Sequence, residues 1–133
     1  VWLVDTNVVS ELRRKHPSQK VENWLRSIPP DSICVSVVTL GEIQLGIEKL
    51  RGREPERATA LDGWLDSLAA QYNVIELDAA MWRLWAKLIH KQDQSLYEDA
   101  LIAATALTRG FCVVTRDVGD FARWDVRIFD PFA

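Results

Sequence analysis

Four acidic residues stand where apolar runs give out: Asp5 after Leu3-Val4, Glu42 in Leu40-Gly41-Glu42, Asp99 in Glu98-Asp99-Ala100, and Asp117 in Val114-Thr115-Arg116-Asp117. If those runs belong to one parallel sheet, the four meet at its carboxyl edge, where open α/β sheets take their ligands. Carboxylates at close range stay ionised together only when a cation neutralises them. A donor set of oxygens alone suits a hard ion, Mg²⁺ or Mn²⁺. The chemistry this arrangement points to is metal-dependent attack on a phosphodiester.

Each residue also has a plainer role. Asp5 reads equally as the N-cap of a following helix, with Asn7 and Ser10 in the next turns to orient a ligand or bond local backbone. Glu42 flanks the apolar stripe that Ile43 begins. Gly41 and Gly46 are costly inside a helix, so close approach by a backbone or ligand is expected there. Ser95-x-x-Glu98 fits a capping box, which explains Glu98 locally and leaves Asp99 without a local partner. Asp117 lies nearer the strand end than Asp120, which could simply stabilise the turn around Gly119. Thr115 and Arg116 flank the site, and Arg116 is either a bidentate phosphate ligand or an ordinary surface arginine.

The elements that must position these residues follow from periodicity. Strands are expected at Val1–Val4, Ile33–Val35, Val74–Leu77, Phe111–Thr115 and Val126–Phe129. Helices are expected over Thr6–Arg14, from Val21 to the stop at Pro29-Pro30, from the Ser36 cap to Leu50, and over Ala58–Tyr72. Two more follow, from the Asp78 cap to about Gln92, and from Ser95 to Gly110. Alternating strands and helices imply right-handed crossovers and a parallel sheet covered on both faces.

At 133 residues and 48% apolar content the chain is long enough for one domain with a real core, and disorder is excluded. No apolar stretch is long enough to span a bilayer. The start lacks the progression of a signal peptide, Val1 suggests a missing initiator methionine, and a cytoplasmic protein is expected. Cys34 and Cys112 sit in apolar runs as buried thiols, and His16 and His90 have no partner at metal-ligand spacing. A net charge of −3 argues against a general nucleic-acid binder. Two basic clusters soften that argument: Arg13-Arg14-Lys15-His16, and Lys49, Arg51, Arg53 and Arg57. Taken singly, each reads first as a solvated helix end. Of the six tryptophans, Trp64, Trp82 and Trp85 lie on apolar helical stripes, as core or dimer surface.

Taken jointly, these segments resemble a PIN-domain protein, and more narrowly a VapC-type toxin of a bacterial toxin–antitoxin pair. The resemblance covers nearly the whole chain. It rests on Leu3 to Leu12, Ser36 to Glu42, Asp99-x-x-Ile102-Ala103-Ala104-x-Ala106, Val114 to Asp117, and the closing Asp130-Pro131-Phe132. It implies a three-layer α/β/α sandwich around a central, mainly parallel sheet of about five strands, forming a single domain over residues 1–133. It also implies an endoribonuclease using one or two Mg²⁺ or Mn²⁺ ions, in which metal-activated water hydrolyses RNA. Asp5, Glu42 and Asp99 match the family's acidic triad, and Asp117 matches a fourth, variable position. Many relatives carry Asn there with an acid three residues later, where this chain has Asp120. The implied partners are a VapB-like antitoxin, which blocks the site and binds operator DNA, and a second copy of the chain. Two other readings fit the acids alone: a Mg²⁺-dependent phosphotransfer domain with Asp5 as nucleophile, and a catalytically inert binding module.

Overall fold

The computed structural model describes residues 1–133. Its sheet has five parallel strands: β1 (Trp2–Val4), β2 (Ile33–Ser36), β3 (Asn73–Ile75), β4 (Cys112–Val114) and β5 (Ile128–Phe129). Their spatial order is β3-β2-β1-β4-β5. Seven helices accompany them: α1 (Thr6–Glu11), α2 (Gln19–Ser27), α3 (Val37–Arg51), α4 (Pro55–Gln71), α5 (Ala79–Ile89), α6 (Tyr97–Arg109) and α7 (Val118–Phe121).

Side chains alternate across the short strands and so divide the core in two. Val4, Ile33, Val35 and Val114 join Val8, Val9, Val21, Ile43, Ile47 and Leu65 on the α1–α4 face. Leu3, Cys34 and Val113 point the other way, toward Ile89, Ala103, Ala106 and Phe121 of α5, α6 and α7. The register places Leu3 beside both Cys34 and Val113, and Val4 beside Val114. Helices on both faces of a parallel sheet make the expected three-layer α/β/α sandwich.

Local signals account for most boundaries. Ser36 accepts the Val38 amide at 3.0 Å and Asp78 accepts that of Met81 at 2.9 Å, capping α3 and α5. Pro55 opens α4, where its missing N–H costs nothing. Gly110 ends α6 at φ 73°, and the amides of Gly110 and Phe111 both close on the Ala106 carbonyl.

Several expectations need correction. The Ser95–Glu98 capping box does not form: residues 94–96 make a separate 3-10 turn whose Ser95 amide is taken by Asp93 at 2.8 Å, and α6 starts without a side-chain cap. The first helix stops at Glu11 rather than Arg14: the amides of Leu12, Arg13 and Arg14 close on carbonyls three residues back, and the chain then folds over so that the Ser18 amide donates to the Glu11 carboxylate at 2.8 Å. A Cβ built on Gly41 or Gly46 meets no atom within 4 Å, so no backbone packs against either. The short helix α7 occupies what the sequence suggested was loop. Among the tryptophans, Trp82 is 45% exposed and continues edge-to-face through Trp85 to Tyr97, whereas Trp124 is buried. Cys34 is buried and Cys112 half-buried, both as free thiols.

Gly110→Ala isolates one backbone term, since its Cβ would meet open space at a left-handed φ. The variant is expected to lose about 1 kcal/mol of stability, read as a lower urea midpoint at unchanged m. An unchanged midpoint would show that the left-handed cap contributes nothing.

Candidate metal centre

The strand order reverses at β1, whose neighbours are β2 on one side and β4 on the other. Such a switch point opens a crevice at the strand carboxyl ends. Asp5 leaves β1 there, its amide bonded to the Val114 carbonyl at 2.9 Å. Its side chain is only 4% exposed. Three donors compensate the burial: the Thr6 amide on Oδ1 at 2.8 Å, and Thr115 Oγ1 at 2.8 Å and Asn7 Nδ2 at 3.3 Å on Oδ2. Asp5 therefore caps α1 as expected and remains fixed toward the crevice.

Asn7 ties β1 to the chain after β4. Its Nδ2 lies 3.0 Å from Asp117 Oδ2 and 3.2 Å from Thr115 Oγ1, and its Oδ1 accepts the Arg116 amide at 3.3 Å. The fully buried Thr115 hydroxyl also accepts the Asp117 amide at 2.9 Å. Across the crevice, Thr6 Oγ1 donates to Glu42 Oε1 at 2.9 Å and lies 3.1 Å from Thr39 Oγ1. Helix α7 then sets Asp117 and Asp120 three residues apart on one turn. Their carboxylate oxygens and that of Asp99 all lie within 4.8 Å of one another.

The electrostatics follow from this crowding. Burial raises the Asp99 carboxyl, and the charges of Asp5, Asp117, Asp120 and Glu42 raise it further, to about 7. Asp5 is also raised, mainly by burial, against the lowering effect of its Thr115 and Thr6 hydrogen bonds. Glu42 is raised by partial desolvation, with Asp5 and Glu98 adding repulsion and Thr6 opposing it. The nearest chain cation is Arg123, 3.6 Å from Asp120. An all-oxygen cluster that its own protein leaves under-neutralised is a fitting donor set for a hard divalent cation.

The structure thus gathers Asp99, Asp117 and Asp120 at the distance that one ion would need. Asp5 and Glu42 stand outside that group but close enough to act on Asp99 by charge. Asn7 and Thr115 brace Asp5 against Asp117. Asp120 joins Asp99 and Asp117 and is more than a turn stabiliser. Arg116 stands exposed at the rim, its guanidinium 3.7 Å above the Phe132 ring. Ser10 lies outside the acidic network, on the wall of the adjoining cleft. Sequence reasoning passed over Thr6 and Thr39. The signal for Thr39 was its place one helical turn before Glu42 on α3, which puts both on one face.

The PIN domain family model, described as "PIN domain", matches residues 2–126. The chain belongs to the PIN-domain family. It is 31% identical to VapC ribonuclease Y4jK of Sinorhizobium fredii, over 98% of this chain and 96% of that protein. It is 30% identical to Toxin FitB of Neisseria gonorrhoeae, over 98% of this chain and 97% of the toxin. The solved structure of FitAB bound to the IR36 DNA fragment superposes with a TM-score of 0.85 at 29% identity, covering 100% of this chain and 96% of that one.

A carboxyl whose folded value lies above its unfolded 3.8 binds its proton more tightly in the native state. Native stability then falls as pH rises from the unfolded value through the folded one. Without divalent ions, Tm is expected to drop by several degrees between about pH 5 and pH 8. Added Mg²⁺ should raise Tm more at the higher pH. Asp99→Asn should flatten both responses in thermal melts. A metal-free Tm that holds or climbs across this range would contradict the repulsion described here.

Proposed function

We propose that this chain is a metal-dependent endoribonuclease, the toxin of a type II toxin–antitoxin pair, acting in the cytoplasm as a single domain over residues 1–133. The observation that carries the reading is the approach of the Asp99, Asp117 and Asp120 carboxylate oxygens to within 4.8 Å of one another, with Asp5 and Glu42 near enough that their charges join burial in pushing Asp99 up to about 7. The ribonuclease and toxin relatives support the same reading.

Asp5 and Asp99 would hold a Mg²⁺ or Mn²⁺ ion directly, Glu42 would do so directly or through water, and Asp117 with Asp120 beside it would support a second. When bound, such an ion lowers the pKa of water and offsets charge developing on phosphate oxygens. The chain's own groups do the positioning. The Thr6 amide and Thr115 hydroxyl hold the Asp5 carboxylate in one orientation, and Asn7 keeps Asp117 facing it. Arg116, steadied on Phe132, stands where a phosphate would pass. No histidine takes part in the hydrogen-bonded acidic network, which weighs against cleavage through a 2′-hydroxyl by acid–base catalysis. Products should then carry a 5′-phosphate.

The likeness to FitAB bound to a DNA fragment supports a partner chain here, which we take to be an antitoxin that would cover the site and bind operator DNA. A homodimer completes the proposal.

Purified protein with Mn²⁺ or Mg²⁺ should cut end-labelled cellular RNA, and EDTA should stop it. Asp5→Asn and Asp99→Asn are each expected to slow cutting by about 100-fold or more, the scale of losing a main stabiliser of developing charge. Cutting that survives both substitutions, or 2′,3′-cyclic phosphate ends, would overturn the mechanism.

A further inference from the structure

A cleft of about 690 Å³ adjoins the acidic centre and shares Asn7 with it. Its walls are the end of α1, the exposed turn that follows, and the first turns of α4. Arg13, Arg14, Lys15 and Arg57 line it with His16 beside them, and Leu61 is the one apolar lining residue. Small-molecule pockets are lined mainly by apolar and aromatic groups. This wall is nearly all polar, and most of it is charged.

The charge is also available. Glu11 is the one acid on the wall, and its carboxylate is engaged by the Ser18 amide at 2.8 Å and by Arg14 at 3.2 Å. Arg13 and Lys15 are exposed and make no ion pair, and Arg57 reaches only Glu54, at 3.8 Å. Arg57 is the member of the second basic cluster that the fold delivers here. Arg51 of that cluster is tied to Glu48 and Asp62 instead. In a chain of net charge −3, a concentration of free cations beside a knot of carboxylates has a physical use. A polyanion is repelled by the acidic centre and needs an attractive surface next to it.

We propose that this cleft is the track for the backbone of a single-stranded RNA substrate. Phosphates sit on Arg13, Lys15 and Arg57, and the strand enters the acidic centre past Asn7 and Arg116. Glu11 is a positioning residue that holds the basic turn in place. The inference rests on the nuclease reading above and adds where, and by which side chains, that substrate is held.

The test is fluorescence anisotropy with a fluorescein-labelled, mixed-sequence single-stranded RNA in EDTA, so that nothing is cut, over a range of salt. Arg13→Gln/Lys15→Gln is expected to weaken binding at least about tenfold near 0.1 M salt. It should also lower the salt slope by about 1.4, roughly 0.7 for each phosphate no longer neutralised. Arg57→Gln should lower the slope by about 0.7. The control is Arg83→Gln, an exposed position on α5 across the sheet, which should bind as wild type does. Unchanged slopes in the cleft variants, with wild-type cutting in Mn²⁺ intact, overturn the track and leave the nuclease standing. An equal loss in Arg83→Gln also overturns the track, since attraction would then be spread over the surface. A wild type that neither binds nor cuts RNA overturns both.

Discussion

An ionised carboxylate in a folded interior must find donors or a cation, and Asp5 is where this protein meets that requirement. It lies almost wholly out of water at the end of the first strand, with the Thr6 amide, the Thr115 hydroxyl and the Asn7 amide group around it. Those donors come from α1 and from the chain after β4. Thr6 and Asn7 reach Asp5 locally, but Thr115 reaches it only because β1 and β4 are parallel neighbours in register. Pairing of Val4 with Val114 sets Asp5 beside Thr115, and Asn7 then reaches across to Asp117 and Arg116. The sheet order and the acidic centre are one structural fact seen at two scales.

The packing around the centre serves the same end. Ala100, Ala103, Ala104 and Ala106 are buried on α6, and small side chains let this helix lie close to the sheet. That closeness carries Asp99 toward Asp5 without a cap of its own. Phe121, fully buried at the end of α7, anchors the short turn that aims Asp117 and Asp120 at Asp99. Repulsion among the acids is then held in place by hydrophobic burial on both faces of the sheet. Burial first, and that repulsion after it, raise the carboxyls of Asp99, Asp5 and Glu42.

Charge is segregated over the surface in a way that the net value of −3 conceals. The acids converge at the strand ends, and the free cations gather beside them, past the end of α1 and at the start of α4. Glu11 belongs to neither group in function. It is a buried acid that shapes the turn displaying Arg13 and Lys15. Polyanion chemistry needs both halves: carboxylates to hold cations, and cations to hold phosphates.

Much of this was written in local sequence. Apolar runs ending in Asp5 and Asp117, caps at Ser36 and Asp78, the stop at Pro29-Pro30 and the glycine at 110 each act within a few residues. Short-range steric and hydrogen-bonding preferences therefore sufficed to place the five strands and six of the seven helices, and to mark four acids as candidates. The parts that escaped are those where polar groups meet across elements. Thr6 of α1 reaching Thr39 and Glu42 of α3, Asp120 closing on Asp99, and Arg57 standing with Arg13 all join residues from different elements. The Ser95–Glu98 motif misled for a related reason, since Asp93 and a 3-10 turn claimed the Ser95 amide first. Periodicity records which side of an element is apolar, a property each element owns alone. Distances between polar side chains on separate elements depend on strand order, register and helix packing, which the whole core decides at once.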